Sequence, residues 1–398
     1  MSELYPSLLI LGGALYLGAI AWLGLGIVRS RRRYRSGFAR PPTERLPSVS
    51  VIVAARNEES RIGACLLSLQ NQDYTGELEM IVVDDRSSDR TADIVTAAME
   101  TWRGPSRLRL VPAGEHPSYA CPKKRALHTG VVASSGDILL FTDADCEASP
   151  AWARRMVAAF APDVGMVAGY AIARESRYLR HWLLAVDELG MAALSEGSAG
   201  MGRPLSCTGR NLAYRRTVFD EVDGFEQIGD LISGDDVYFM RLVHERTSWR
   251  VATCVQDDAV VLSDPGPLAW KLLLGRKVRH ASKVARYHGG ALGVGATAYA
   301  FHALLGYGAL RLMLLEIADP ALLGVWSARL IADCALLYGF SPRVTDRRRL
   351  LLLPLVELLY IPYVTIFVPL GRAGLFSWKE NEGEIQPEAG AVAAPNSR

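Results

Sequence analysis

The chain has 398 residues, room for two domains or for one domain with appendages, and half of them are hydrophobic. Its mean hydropathy of +0.13 is high for a wholly soluble protein. The 44 basic and 42 acidic residues nearly cancel to a net +2, and six scattered cysteines without a C-x-x-C pair argue against a zinc or disulfide framework.

Leu4 to Val28 carries no charge and is long enough to span a bilayer. Arg29-Ser30-Arg31-Arg32-Arg33-Tyr34-Arg35 comes immediately after it. No basic stretch precedes the apolar run and no cleavage site succeeds it, so residues 4–28 read as an anchor rather than a signal peptide. The positive-inside rule then puts the arginines, and the chain directly after them, in the cytoplasm. The arginine run is read as a topology and lipid-contact signal, with no nucleic acid as partner. Residues 29–47, ending in Arg40-Pro41-Pro42 to Pro47, read as a basic, proline-rich linker.

An α/β pattern occupies residues 48–265. Val49 to Ala54 is a β-branched run ending in Arg56-Asn57-Glu58-Glu59, succeeded by a helical pattern through Leu66, Leu67 and Leu69. Met80 to Val83 is a second strand ending in Asp84-Asp85-Arg86-Ser87-Ser88-Asp89, where Ser88 or Asp89 could cap a helix through Ile94 and Met99. Leu108 to Val111 is a third strand, and Pro122 opens a helix at a position proline tolerates. The fourth strand, Ile138 to Phe141, ends in Asp143-Ala144-Asp145. Strands alternating with helices of this length predict a mostly parallel, doubly covered sheet. Ligands of such sheets bind beyond the carboxyl ends of the strands, where both carboxylates stand.

Further on, Val164 to Ile172 reads as extended and Ser176 to Leu194 as helical. Ser206 to Tyr214 contains the polar turn Thr208-Gly209-Arg210-Asn211, and Ser233-Gly234-Asp235-Asp236 opens a helix through Phe239, Met240 and Leu242. Trp249 to Val255 and Ala259 to Leu262 read as a last pair of strands. Residues 266–288 form a basic amphipathic pattern that suits the membrane interface. Residues 289–371 hold about three further spans, the second carrying Arg329 and Asp333 at a spacing that allows them to pair. That count puts the C-terminal tail outside unless one stretch is re-entrant. Residues 372–398 read as a disordered tail.

Three acidic signals punctuate the α/β region: Asp84-Asp85, Asp143-x-Asp145 and Asp235-Asp236. Each alone could be a helix cap or a solvated turn. Together they suit a hard divalent cation, Mg²⁺ or Mn²⁺, held by one or two carboxylates and completed by a ligand's phosphates. A further carboxylate could take the proton of an attacking hydroxyl. No P-loop, G-x-S-x-G or H-E-x-x-H motif competes with this reading.

The segments V-S-V-I-V-A-A-R-N-E-E, I-V-V-D-D-R-S-S-D-R-T, K-K-R-A-L-H-T-G-V-V-A-S-S-G-D-I-L-L-F-T-D-A-D-C and S-G-D-D, in this order, resemble the family 2 glycosyltransferases in their membrane-bound branch. The resemblance covers about Ser48 to Leu262. It implies a GT-A, Rossmann-like catalytic domain at the cytoplasmic face of the inner membrane, and inverting transfer from a nucleotide-diphosphate sugar with Mg²⁺ or Mn²⁺. Carried over by motif, Ala54, Arg56 and Glu58 would line the nucleotide pocket. Asp84 would contact the base or ribose while Asp85 supports the turn. Lys124, ahead of Lys123, would lie near the nucleotide or its phosphates. Asp143 would face the ribose or diphosphate, with Asp145 the principal metal ligand. Gly209, Arg210 and Asn211 would lie by the acceptor. Asp236 matches the catalytic base, and its neighbour Asp235 is either a cap or a direct participant.

Processive members such as cellulose and hyaluronan synthases carry Q-x-x-R-W on the interfacial helix, whereas this chain has Arg276-Lys277-Val278-Arg279-His280. Arg279 keeps the arginine, so Arg279 and Arg276 are diphosphate candidates. His280, in place of the stacking tryptophan, is an acceptor-side candidate that weakens the polymerase reading. The expectation is transfer of one sugar, or a few, from a UDP-sugar to a lipid-like or glycan acceptor. A processive synthase, a nucleotidyltransferase and an inactive membrane scaffold are the alternatives. Oligomeric state is not legible.

Overall fold

The structure, a computed structural model, describes residues 4–38, 46–104, 106–116, 118–231, 234–266, 289–315, 319–342 and 345–372. They fall into two compact units, one of residues 17–266 and 331–353, the other of the described parts of 1–16, 267–330 and 354–398.

The first unit is built on a seven-stranded sheet. Its strands are β1 (Val49–Ala55), β2 (Leu78–Asp84), β3 (Arg107–Pro112), β4 (Ile138–Asp143), β6 (Val164–Ala168), β8 (Leu212–Arg215) and β9 (Arg250–Thr253), in the order β3-β2-β1-β4-β8-β6-β9. All are parallel except β8, which runs against both its neighbours. The chain steps outward from β1 to β2 and β3, then returns to place β4 on β1's other side. That reversal opens a crevice at the carboxyl ends of β1 and β4. A small sheet, β5 (Cys146–Glu147), β10 (Val261–Ser263) and β7 (Ala171–Ala173), lies apart from it, so the last two strands expected from sequence fall in different sheets.

Alternation along β1 explains why both faces need cover. Val49, Val51 and Val53 pack with α2 (Ile62–Gln70), α3 (Thr91–Thr101) and α5 (Trp152–Ala158) through Ile62, Leu66, Val95 and Met156. Ile52 points the other way and packs with Leu127 and Val131 of α4 (Pro122–Ala133). That second face also carries α7 (Arg216–Glu221) and α8 (Val237–Arg246), through Val218, Phe239 and Met240. Full burial of each such aliphatic side chain stabilises the fold by roughly 1.5–3 kcal/mol. Asp89 accepts the N–H of Thr91 and so stands just ahead of the helix it was expected to cap.

Helix α1 runs from Leu4 to Phe38, so residues 29–38 of the expected linker are helical instead. Arg31 gives the reason: its guanidinium pairs with the fully buried Glu196 at 3.2 Å and donates to Phe340 O. Arg33 donates to Gly200 O. The arginine run therefore carries tertiary contacts besides any lipid contact. Gly26 crosses α6 (Leu179–Gly200) at Gly197 and Gly200, where a side chain on any of the three would collide with backbone.

Among the described residues, four helical segments are long and apolar enough to cross a membrane, namely Leu4–Arg35, Gly295–Leu315, Pro320–Phe340 and Arg347–Leu370. They lie in the longer helices α1, α9 (Gly289–Leu315) and α10 (Pro320–Phe340), and in the last case in a 3₁₀ turn (Arg347–Leu352) continuing into α11 (Leu353–Pro362) and beyond. In the second unit Tyr16 stacks on Phe301, and Arg329 pairs with Glu357.

Candidate active site

The register of the sheet sets the floor of the site. Ala54 pairs with Asp143 across β1 and β4, and Ala55 with Asp84 across β1 and β2. Three expected site residues therefore stand at one level at the strand ends. The two loops beyond them interlock: Ser88 N–H donates to Asn57 Oδ1 at 2.8 Å, Asn57 N–H to Ser87 Oγ at 3.0 Å, and Glu58 N–H to Thr91 Oγ1 at 2.8 Å. Asn57 and Arg86 hold this arrangement with left-handed backbones, φ 52° and 59°, a strain of the kind that clusters at functional sites.

Side chains in these loops divide in what they have left to offer. Arg56 reaches the buried Asp85 at 3.8 Å and keeps 40% of its side-chain surface exposed. Glu58 pairs with Arg61, which leaves its carboxylate committed within the protein. Asp84 accepts a long bond from Ser87 N–H through Oδ2, while its Oδ1 is buried with no hydrogen-bond partner. A buried carboxylate oxygen without a donor is costly, and it marks Asp84 as ready for a ligand's hydroxyl or amide.

At the other side of the crevice a cluster of charge forms around Lys123. Its Nζ lies 2.7 Å from Asp143 Oδ1 and 3.8 Å from Asp235 Oδ2. Burial alone would lower the pKa of this ammonium, but Asp143, Asp235 and Asp236 together raise it. Gly209 closes the cluster: its N–H donates to Asp236 Oδ2 at 3.2 Å, and a Cβ there would stand 3.4 Å from Asp235 Oδ2. Asp236, not Asp235, is the cap of α8, accepting from Val237 N–H. Two backbone donors thus fix the plane of the Asp236 carboxylate and leave lone pairs on both oxygens.

Two expectations change in this geometry. Lys124 does not reach the crevice: it is fully buried and donates to Ile228 O and to Leu231 O. The helical stripe Lys124, Leu127, Val131 already carried this signal, since i, i+3 and i+7 share a face. Asn211 also turns inward. It is fully buried, its amide donates to Tyr170 O and Ala259 O at 2.8 Å each, and its Oδ1 accepts from Trp152 Nε1 at 2.9 Å. With both amide protons and its oxygen engaged inside the core, it braces the Thr208 turn and does not face an acceptor. Arg210 lies between the two roles. It pairs with Glu188 and donates to Ser263 Oγ, both at 2.8 Å, and burial that would lower its pKa is outweighed by Glu188, Cys146 and Asp145. Glu188, on α6, was not singled out by sequence, because a lone acid in a helix looks like a solvated one.

Asp145 enters no ion pair among the described residues, and its Oδ1 accepts only from the neighbouring Cys146 thiol. Burial pushes that thiol's pKa well up, so Cys146 stays protonated and donates. Among the described residues no three His, Cys, Asp or Glu side chains gather around one point. Asp145 with Asp143 is thus a partial donor set, the kind Mg²⁺ or Mn²⁺ takes when a substrate's phosphates and water complete the shell. The residues fit such an ion. Arg276, Arg279, His280 and the amphipathic segment 266–288, from residue 267 on, lie outside the described residues.

Known proteins share the family and the fold of this chain. The family described as glycosyl transferase family 2 matches residues 50–223. A stretch of 130 residues is 33% identical to an N-acetylglucosaminyltransferase of Bradyrhizobium elkanii, covering 32% of this chain and 68% of that protein. Over 194 residues the chain is 30% identical to an N-acetylglucosaminyltransferase of Sinorhizobium fredii, covering 43% of this chain but only 41% of that protein. Among solved structures, the mannosyltransferase PcManGT from Pyrobaculum calidifontis, in complex with GDP-Man and Mn²⁺, superposes with a TM-score of 0.53 at 22% identity, over 92% of this chain and 98% of that one. That likeness is one of fold.

Proposed function

The chain belongs to glycosyl transferase family 2, and from that premise we propose that it is a membrane-bound, inverting, metal-dependent transferase moving a sugar from a UDP-sugar to a hydroxyl of a lipid-like acceptor. The observation that carries the reading is the meeting of three acids and Gly209 around Lys123. Asp143 and Asp235 flank its ammonium, and Asp236 and Gly209 stand beside them.

In this reading Asp84 and Arg56 hold the nucleoside at the ends of β1 and β2. Lys123 moves its charge from Asp143 to the donor's diphosphate as the donor arrives. A divalent ion on Asp145 and Asp143 would offset the negative charge that grows on the diphosphate as the sugar leaves. Asp236 takes the proton of the acceptor hydroxyl, its carboxylate aimed by Gly209 N–H and Val237 N–H. The names of the relatives favour an N-acetylhexosamine or hexose donor. The four apolar segments favour an inner-membrane position with the catalytic unit cytoplasmic and the acceptor drawn from the inner leaflet.

The test is release of UDP from UDP-sugars by the purified full-length protein with Mn²⁺, run against GDP-sugars and in EDTA, with mass spectrometry of membrane lipids in cells with and without the gene. UDP release that stops on chelation, and a hexose-bearing lipid that disappears with the gene, are expected. Turnover unchanged in EDTA would remove the metal from the reading. Release of pyrophosphate in place of UDP would turn it into a nucleotidyltransferase.

A further inference from the structure

In the first unit a cavity of about 220 Å³ is lined by Ala173, Arg174, Glu175, Leu262, Thr345 and Arg349. Its Leu262 lies on β10, which pairs with β5, Leu262 opposite Glu147 and Ser263 opposite Cys146. No role proposed above uses any of the lining residues.

Arg349 gives the cavity its character. The side chain is among the largest that are fully buried. Its Nη1 donates to Ala173 O at 2.9 Å, whereas Nε is buried with no hydrogen-bond partner and Nη2 has none among the described residues. The Nε–Nη2 edge of a guanidinium is the edge that takes two oxygens of a phosphate side by side. A second guanidinium, Arg174, lines the same cavity with 46% of its side-chain surface exposed and pairs with Glu147. Glu175 is the single carboxylate of the lining and is itself exposed. Two guanidiniums against one lining acid, with Nε of the buried one lacking any protein partner, make a receptor for an oxyanion. A hydroxyl could use neither the second N–H nor the charge.

The position of Arg349 narrows the ligand. It lies near the start of Arg347–Leu370, a segment long and apolar enough to cross a membrane, so on the membrane reading above it stands at the depth of lipid headgroups. Ala173 also links the cavity to the transfer site. Its carbonyl accepts from Arg349, its N–H donates to Glu188 Oε2, and Glu188 Oε1 pairs with Arg210, whose pKa the nearby Asp145 helps to raise.

We propose that this cavity binds the phosphate group of an amphiphile, in the plane of Arg349 Nε and Nη2, next to but separate from the sugar-transfer site. The proposal rests on the membrane position given under the proposed function. Occupancy orders Ala173, and through Glu188 holds Arg210 in place beside Asp145.

The experiment monitors thermal unfolding of the full-length protein in neutral detergent micelles. The micelles are doped with phosphatidic acid or diacylglycerol, and inorganic phosphate is added in a separate arm. A saturable rise in the unfolding midpoint with phosphatidic acid, absent with diacylglycerol, is expected. The half-saturating concentration should increase about tenfold in Arg349→Gln and by a smaller factor in Arg174→Gln. Arg174→Gln lies at the rim and keeps the test open should Arg349→Gln fail to fold. If inorganic phosphate gives the same rise and the lipid gives none, the cavity binds a free phosphate and the headgroup source is overturned. A wild-type response retained in both variants, or no response in the parent to either probe, overturns the site itself. UDP-sugar hydrolysis in the same preparations reports separately on the proposed transferase, so loss of one property without the other shows which reading has failed.

Discussion

The ammonium of Lys123 lies 2.7 Å from the carboxylate of Asp143, the last residue of β4. With Asp235 3.8 Å away, that lysine bridges two acids which would otherwise repel each other. A cation is therefore in place among these acids, and on the proposed function the donor's phosphates would compete with Asp143 for it.

Replacing Lys123 by Gln is expected to lower UDP-sugar turnover by about 10²-fold, the scale on which a single charge stabiliser acts. Because the Lys123–Asp143 pair is 27–29% exposed, the melting temperature should move by no more than a few degrees. Lys124→Gln should do the reverse. It removes a buried donor from the carbonyls of Ile228 and Leu231, costing about 1–3 kcal/mol of stability while donor KM stays near the parent value. Calorimetry and donor titration on the two variants separate the roles, and a Lys124→Gln protein as stable as its parent would contradict the assignment.

Asp236→Asn is expected to reduce kcat by roughly 10²–10⁴-fold. Asn caps helices as well as Asp does, so α8 keeps its first turn and the fold should stay intact. Donor affinity measured by equilibrium binding should be unchanged. A variant with full turnover would remove Asp236 from the role of base.

Asn211→Ala is expected to act on stability and not on the acceptor. It leaves Tyr170 O, Ala259 O and the Trp152 indole N–H without their partner inside the core. The cost is about 2–4 kcal/mol, a fall of roughly 5–15 °C in melting temperature for a domain of this size. Acceptor KM measured well below the new midpoint should match the parent, and a selective rise in it would return Asn211 to the acceptor site.

Glu79 sets part of the acid limit. Burial alone would raise its pKa, but bonds from Ser50 and from Ser135, with Arg109 nearby, bring it below the ordinary 4.5. A carboxylate depressed on folding lends stability that is complete above its unfolded pKa and is lost as pH falls through the folded one. Melting temperature should therefore decline below about pH 4.5, and Glu79→Gln should flatten part of that decline while lowering the value at pH 7. A decline of equal steepness in the variant would assign the acid sensitivity to other groups, such as Asp163 with Arg250.

The α/β order, the strand limits near the site, and the positions of Asp84, Asp143, Asp145 and Asp236 were legible in the sequence. Each is a local property. A β-branched run makes a strand whatever lies beside it, and an acid after a buried strand must sit at the strand's end. The four apolar segments were legible for the same reason, since length and composition suffice to mark them.

Which of two adjacent lysines reaches the carboxylates, which residue caps α8, and whether Asn211 faces a ligand or the core depended on packing across the sheet. Those outcomes turn on rotations of about 100° per helical residue and on partners 20 to 107 residues away, and no local pattern records them. The continuation of α1 through its arginines likewise came from a buried acid on α6, 165 residues further on. The sequence alone established which acids, and at which strand ends, this protein would present. Tertiary structure alone decided which cation meets them, because a charged side chain goes where burial leaves it a partner.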